Sequence, residues 1–274
     1  MNAEPLELLG LLVSRGYVGV SPANLMSLAS STRALLRKGS CSPEVLESLV
    51  GSWVWAMLPR RPALAVLSQC YRFLASTRGS AKLWPSVKRE LQCVIGLVPL
   101  LHTTWSLSVS NRLVASDASS TGLGVASTVV QSEEVSALDM ADNGRFDVSR
   151  VVGRAQLMYM PALESWVDRK WSTIVSAPVR FPQHINVLEA AALLLALRWV
   201  ASLSNSHVSR KLILLIDSSV VFFSLRKGRS SSPKLLRILR RISALLLAMS
   251  IVPVPVWVPS HLNPADAPSR GQVV

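Results

Sequence analysis

Four acidic residues sit where chemistry could be done: Asp117, Glu189, Asp217 and Asp266. Residues 184–274 carry 11 basic side chains and only three acids, Glu189, Asp217 and Asp266. A segment that otherwise excludes carboxylates but keeps three needs a reason for each. Carboxylates crowded together repel one another without a cation, so such a cluster is poor as structure and sensible as a metal site. Oxygen ligands of this kind suit Mg²⁺, which keeps several of its waters. Two such ions about 3.5–4 Å apart turn a water into hydroxide and stabilise an oxyanion leaving group, the requirements of phosphodiester cleavage.

Each acid also has a structural reading. Asp117 in Ser-Asp-Ala-Ser fits a turn, Asp217 ahead of Ser218 and Ser219 fits a helix cap, and Asp266 complements a helix terminus. Capping does not explain Glu189, which stands amid Val187, Leu188, Ala190 and Ala191. His261, five residues before Asp266, is a candidate acid–base or phosphate-contacting group, or else an exposed loop histidine. His184 and His207 read as structural.

The elements that must position these groups follow from the pattern. Leu113-Val114-Ala115-Ser116 reads as a strand leading into Asp117, and residues 122–127 as a second strand after a turn. Residues 131–165 are polar, acidic and weakly periodic, within an excursion that extends to about residue 183. Helical spacing predicts a helix over 186–200, with Glu189 one turn in and Asn186 as a cap. Residues 211–216 are a continuous apolar run, as in a strand buried on both faces, ending at Asp217. A short helix over 218–225, a basic loop, a helix from Pro233 to about Met249 and a strand over 252–258 follow. Asn263-Pro264 then reads as a cap with proline at the first helical position, which puts Asp266 in the first turn of a last short helix. The alternation implies an α/β layer with a mixed sheet flanked by helices. If the strands ending at Asp117 and Asp217 are parallel neighbours, both carboxylates emerge at the carboxyl edge of the sheet, where open α/β sheets bind ligands.

Residues 1–110 read as mostly helical, with helix starts at Ser21-Pro22, Ser42-Pro43 and Trp84-Pro85, a break between Pro59 and Pro62, and a further helix over 63–76. No catalytic constellation lies there, and Trp53, Trp55, Tyr71, Phe73 and Trp84 read as core. Cys41, Cys70 and Cys93 form no C-x-x-C pair, so reduced, intracellular thiols are expected rather than disulfides or zinc. The N-terminus lacks the pattern of a signal peptide, and the apolar stretch 242–258, interrupted by Ser250, Pro253 and Pro255, reads as a helix end and a strand rather than a membrane span.

The net charge of +13 and pI near 10.6 point to a polyanionic partner. Arg226, Lys227 and Arg229 follow Asp217, and Lys234, Arg237, Arg240 and Arg241 stripe the next helix at spacings of three and four, as phosphate contacts or as a solvated face.

The assembly resembles the ribonuclease H domain of retroelement reverse transcriptases, most closely those of DIRS-type elements. Ala-Ser-Asp-Ala-Ser-Ser-Thr-Gly-Leu-Gly at 115–124, His-Ile-Asn-Val-Leu-Glu-Ala at 184–190, Leu-Leu-Ile-Asp-Ser-Ser at 214–219 and Trp-Val-Pro-Ser-His-Leu-Asn-Pro-Ala-Asp-Ala-Pro-Ser-Arg at 257–270 carry the match, in the family's order. The resemblance implies a ribonuclease H-like domain over 112–274, catalytic acids at Asp117, Glu189, Asp217 and Asp266, two Mg²⁺ or Mn²⁺ ions, and hydrolysis of the RNA strand of RNA–DNA hybrids. Residues 1–111 are similar to the thumb and connection that precede this domain in reverse transcriptase polyproteins. The chain contains no Asp-Asp pair, so no polymerase activity is expected from it alone. A 3′–5′ exonuclease of the same fold would place a glutamate two residues after the first aspartate, where Ser119 stands. Two other classes remain: a catalytically inactive module that binds nucleic acid or supports a polymerase, and, from basicity and hydropathy, a membrane-surface protein.

Overall fold

A computed structural model of the chain describes residues 6–272 except 9, 15, 105, 132–165, 167–168 and 204–208, so His207 lies outside the described residues. The chain forms two compact units, Met1–Leu107 with Lys227–Arg229, and Ser108–Arg226 with Ser230–Val274.

In the first unit the apolar run at residues 6–13 is not helical. β1 (Leu6–Leu8), β2 (Leu11–Ser14) and β3 (Tyr17–Val20) form an antiparallel meander. Gly10 and Gly16 sit at φ +76° and +75° between these strands, and two left-handed turns six residues apart leave no room for a helix. Helix α1 (Pro22–Lys38) is capped by the Ser21 hydroxyl, which accepts a 3.3 Å bond from the Asn24 N–H. The short strand β4 (Ser40–Cys41) and helix α2 (Pro43–Met57) follow. The helix expected over 63–76 is split: a 3₁₀ segment holds Leu58–Val66, with Pro59 and Pro62 inside it, and α3 (Ser68–Ser76) starts afresh. The strand β5 (Ala81–Lys82) pairs with β4, α4 runs over Pro85–Leu97, and β6 (His102–Thr103) pairs with β3. Trp53 and Phe73 are wholly buried, and the Trp53 indole N–H donates to the Thr32 hydroxyl at 2.9 Å. Tyr71 and Trp84, expected in the core, are surface residues.

The second unit holds β7 (Val109–Ala118), β8 (Gly122–Val129), β9 (Ser172–Pro178), α5 (Ile185–Ser202), β10 (Lys211–Ile216), α6 (Ser219–Lys227), α7 (Pro233–Ala248), β11 (Val252–Trp257) and the one-turn α8 (Asp266–Ser269). The sheet order is β11-β10-β7-β8-β9, with β10 parallel to both β7 and β11, and β8 antiparallel to β7 and β9. This is a mixed α/β sheet flanked by helices, as the alternation of strands and helices implies. Of the excursion at 131–183, residues 172–178 supply its outer strand β9, and 132–165 lie outside the described residues.

The apolar run of β10 is buried on both faces, as expected of a central strand. Leu212, Leu214 and Ile216 join one core cluster with α5 and α7, while Ile213 and Leu215 join another with Leu113, Ala115 and Ala265. α5 is the one described helix long and apolar enough to cross a membrane by length and composition, and half of that stretch is buried within the fold. Its cap is His184 rather than Asn186: the His184 Nδ1 accepts from the Asn186 N–H at 3.3 Å. At the outer flank, the N–H groups of Val252 and Val258 donate inward, to the carbonyls of Arg210 (3.0 Å) and Ile216 (3.1 Å). The alternating positions Pro253 and Pro255 therefore turn their nitrogens away from the sheet.

Candidate metal centre

The register between β7 and β10 builds the site. Ile216 pairs with Ser116 in parallel, so Asp217 and Asp117 come next, side by side at the carboxyl edge. Asp117 still lies within β7, opposite Gly124, whereas Asp217 is the first residue beyond β10. The Trp257 indole N–H donates to the Asp217 carbonyl at 2.9 Å, tying the end of β11 to the same point. Glu189 reaches the edge from the first turns of α5.

Asp117, Glu189 and Asp217 each offer an oxygen within 4.8 Å of the others. Asp117 and Glu189 are 4% and 8% exposed, so the cluster is largely removed from water. Burial pushes the Glu189 carboxyl up to about 9, and the charges of Asp217 and Asp117 push the same way against a backbone hydrogen bond from Ala118. Burial likewise raises Asp117 to about 6; a Ser269 hydrogen bond opposes this, and Asp217 and Asp266 add to it. The charges that raise these two groups are those of neighbouring carboxylates. Asp217 Oδ1 is buried and has no hydrogen-bond partner among them.

Glu90 in the first unit is the contrast. It is as buried, at 6%, yet its carboxylate accepts from the Gln69 N–H at 2.7 Å, the Cys70 N–H at 3.0 Å and the Ser68 hydroxyl at 3.2 Å, capping α3. Donors satisfy a carboxylate with a structural role. The cluster at Asp117, Glu189 and Asp217 has an acceptor oxygen with no donor, in a site made of hard oxygen ligands. That donor set fits a divalent cation such as Mg²⁺ or Mn²⁺.

Asp266 is the fourth predicted acid, and it stands outside this group. Arg270 holds it, with Nε 3.1 Å from both carboxylate oxygens and Nη2 3.0 Å from Oδ1. Its helix α8 is nevertheless fastened to the site. The Ser119 hydroxyl donates to the Ser269 carbonyl at 2.7 Å, and the Ser176 hydroxyl to the Pro268 carbonyl at 2.8 Å. Asn263 is buried; its Nδ2 donates to the Ser116 carbonyl at 3.1 Å and its Oδ1 accepts from the Ala265 N–H at 3.1 Å. Asn263 thus anchors the chain to β7 instead of capping a helix with Pro264 at its first position, and α8 begins two residues later than that reading.

Sequence reasoning did not single out Asn263, Ser119 or Arg270 for these roles. The available signals were the Asn-Pro pair, the Ser two residues past Asp117 and the Asp–Arg spacing of four.

The other candidates are placed as follows. His261 is exposed in the 3₁₀ turn Ser260–Leu262. Lys234, Arg237 and Arg241 are exposed on α7, and Arg240 is half-buried there. Arg226 is half-buried with its guanidinium 5.6 Å from the Phe222 ring centroid. Lys227 and Arg229 are exposed and belong to the first unit.

No protein-family profile and no curated protein matches this chain. Among solved structures, the N-terminal RNase H domain of Rv2228c from Mycobacterium tuberculosis, solved as a fusion with maltose binding protein, matches at 16% identity and a TM-score of 0.33, over 60% of this chain and 97% of that one. The foamy viral protease-reverse transcriptase in complex with an RNA/DNA hybrid matches at 11% identity and a TM-score of 0.29, over 93% of this chain and 50% of that one. The same viral protein in complex with double-stranded DNA matches at 13% and 0.29, over 92% and 45%. This chain thus spans half or less of those viral chains.

Proposed function

We propose that the second unit is a metal-dependent endonuclease that hydrolyses the RNA strand of RNA–DNA hybrids, and that the chain is the C-terminal part of a retroelement reverse transcriptase polyprotein. The observation that carries this reading is the gathering of Asp117, Glu189 and Asp217 at the carboxyl edge of the sheet, with Asp217 Oδ1 lacking any described donor. These three residues would hold Mg²⁺ or Mn²⁺, two ions in all, with Asp266 as the further ligand. Bound ions would supply a water of lowered pKa and positive charge at the leaving oxygen.

The chain's own residues do the rest. The buried walls around Asp117 and Glu189 keep bulk water from the carboxylates, which strengthens every charge interaction there. His261, exposed ahead of α8, can move a proton at the leaving oxygen or contact a phosphate. Lys234, Arg237 and Arg241 on α7 track the backbone phosphates, and hybrid recognition rests on shape and 2′-hydroxyls rather than base sequence. The first unit, in this reading, corresponds to a thumb and connection, and its partner is the remainder of the polyprotein. The setting is intracellular.

The test is incubation of the full chain with end-labelled RNA–DNA hybrid and Mg²⁺. Cleavage confined to the RNA strand, and lost in Asp117→Asn, is the expected result. Tight hybrid binding with no cleavage by the parent chain would make the unit an inactive binding module instead.

A further inference from the structure

The pair Asp266–Arg270 is a two-pronged fork across one helical turn, and it is open to solvent: the side chains are 37% and 61% exposed. Asp266 still acts electrostatically on Asp117, and Arg270 also feels the charge of Asp117. The helix that carries the pair is pinned to the sheet through Ser269, Pro268 and Asn263. Arg270 is therefore the positive group that holds the fourth carboxylate outside the group formed by the other three.

We propose that Arg270 is a positioning residue that reserves Asp266, withholding it from the carboxylate cluster until a nucleic-acid phosphate takes the guanidinium in its place. This rests on the metal-dependent reading above. A guanidinium fork matches the oxygens of a phosphate as well as those of a carboxylate. Exposed pairs at this spacing contribute little stability, so the exchange costs little. Release of Asp266 completes the ligand set only when substrate is present. By linkage, backbone phosphate and divalent cation then strengthen each other's binding.

The experiment is Mn²⁺ titration of the full chain by electron paramagnetic resonance, with no nucleic acid, for the parent, Arg270→Ala, Arg270→Lys, Asp266→Asn and the double variant D266N/R270A. Arg270 is largely exposed, so its variants keep the fold, which thermal melting checks. Arg270→Ala is expected to bind its weaker Mn²⁺ about fivefold tighter or more, with Arg270→Lys in between. The double variant should bind no tighter than Asp266→Asn. A hybrid whose RNA strand is 2′-O-methylated should tighten Mn²⁺ binding in the parent but not in Arg270→Ala. Equal Mn²⁺ affinity in the parent and Arg270→Ala overturns the proposal. So does a gain that persists in the Asp266→Asn background, because it would reflect general charge and not the fork. Absence of Mn²⁺ binding by every form, parent included, removes the metal-dependent reading itself and this proposal with it.

Discussion

Gly124 lies so close beneath Ala265 that no side chain fits between strand β8 and the last helix. A Cβ on Gly124 would run into the Ala265 carbonyl oxygen and stand 2.5 Å from the Ser269 nitrogen, and one on Gly122 would run into the Ser269 carbonyl oxygen. The Gly-Leu-Gly of the first motif is thus the floor on which α8 rests, and it fixes how far Asp266 stands from Asp117. Gly124→Ala should lift α8 and cost about 1–3 kcal/mol, as overpacking does. Urea unfolding reads the stability, and hybrid cleavage should fall further than that loss explains. Ser119→Ala removes the hydrogen bond to the Ser269 carbonyl together with the bonds that the hydroxyl accepts from the Gly122 and Thr121 N–H groups, and should lose about 1–3 kcal/mol. A Gly124→Ala protein with parental stability and activity would show that α8 is not seated as described.

Neutralising the clustered acids should separate activity from stability. Asp117→Asn and Asp217→Asn are expected to lower cleavage by orders of magnitude. In chelator, the same variants should melt no lower than the parent, because each removes a repulsive charge from the group within 4.8 Å. A clear drop in the melting temperature of the metal-free variants would mean that the carboxylates hold the fold together and do not serve a cation.

The raised carboxyls make stability depend on pH with a definite sign. Asp117 is raised from 3.8 to about 6 and Glu189 from 4.5 to about 9. Between those values the folded chain keeps a proton that the unfolded chain has lost, so stability falls as pH rises. The Asp117 contribution is lost between about pH 4 and 6, and that of Glu189 continues to be lost up to about pH 9. In chelator the melting temperature should therefore decline across this window, and Glu189→Gln should flatten the decline above about pH 6. Saturating Mg²⁺ should flatten it too, since cation binding favours the ionised carboxylates. A melting temperature that rises with pH in chelator, with the same trend in Glu189→Gln, would contradict this account.

The exposed cations of α7 should act additively and without regard to sequence. Neutralising Lys234, Arg237 or Arg241 is expected to weaken hybrid binding and to reduce the slope of log K against log salt by about one for each phosphate left without its cation. Arg226→Gln should change it less, because that guanidinium packs over Phe222. Fluorescence anisotropy across a salt series measures both, and unchanged slopes would leave α7 as an ordinary solvated face.

The central strands were legible because burial on both faces writes itself as an unbroken apolar run. From residues 211–216 and the strand before Asp117, the pairing that puts Asp217 beside Asp117 could be anticipated. Glu189 was legible as an acid out of place on an apolar helix face. Asp266 was legible as an acid but not as a captured one, since its separation from the others depends on Arg270 one turn later. Asn263-Pro264 carried a local signal for a helix start; the Asn263 Oδ1 keeps a local bond from the Ala265 N–H while its Nδ2 reaches across to Ser116, and the helix starts only at Asp266. At the other end of the chain, leucines at residues 6–13 suit helix or strand alike, and the turns at Gly10 and Gly16 decided between them.

The prolines of β11 have a consequence for how this chain behaves in company. With half its residues hydrophobic, it carries a solubility hazard wherever a strand is left unpaired on one side. Along the open flank of β11 the outward donors at 253 and 255 are missing, because proline has no N–H to offer. An incoming strand would find carbonyls there without the alternating donors that a ladder requires. Chemistry closes that side of the sheet to growth, a safeguard against sticking edge to edge with other copies as the chain folds.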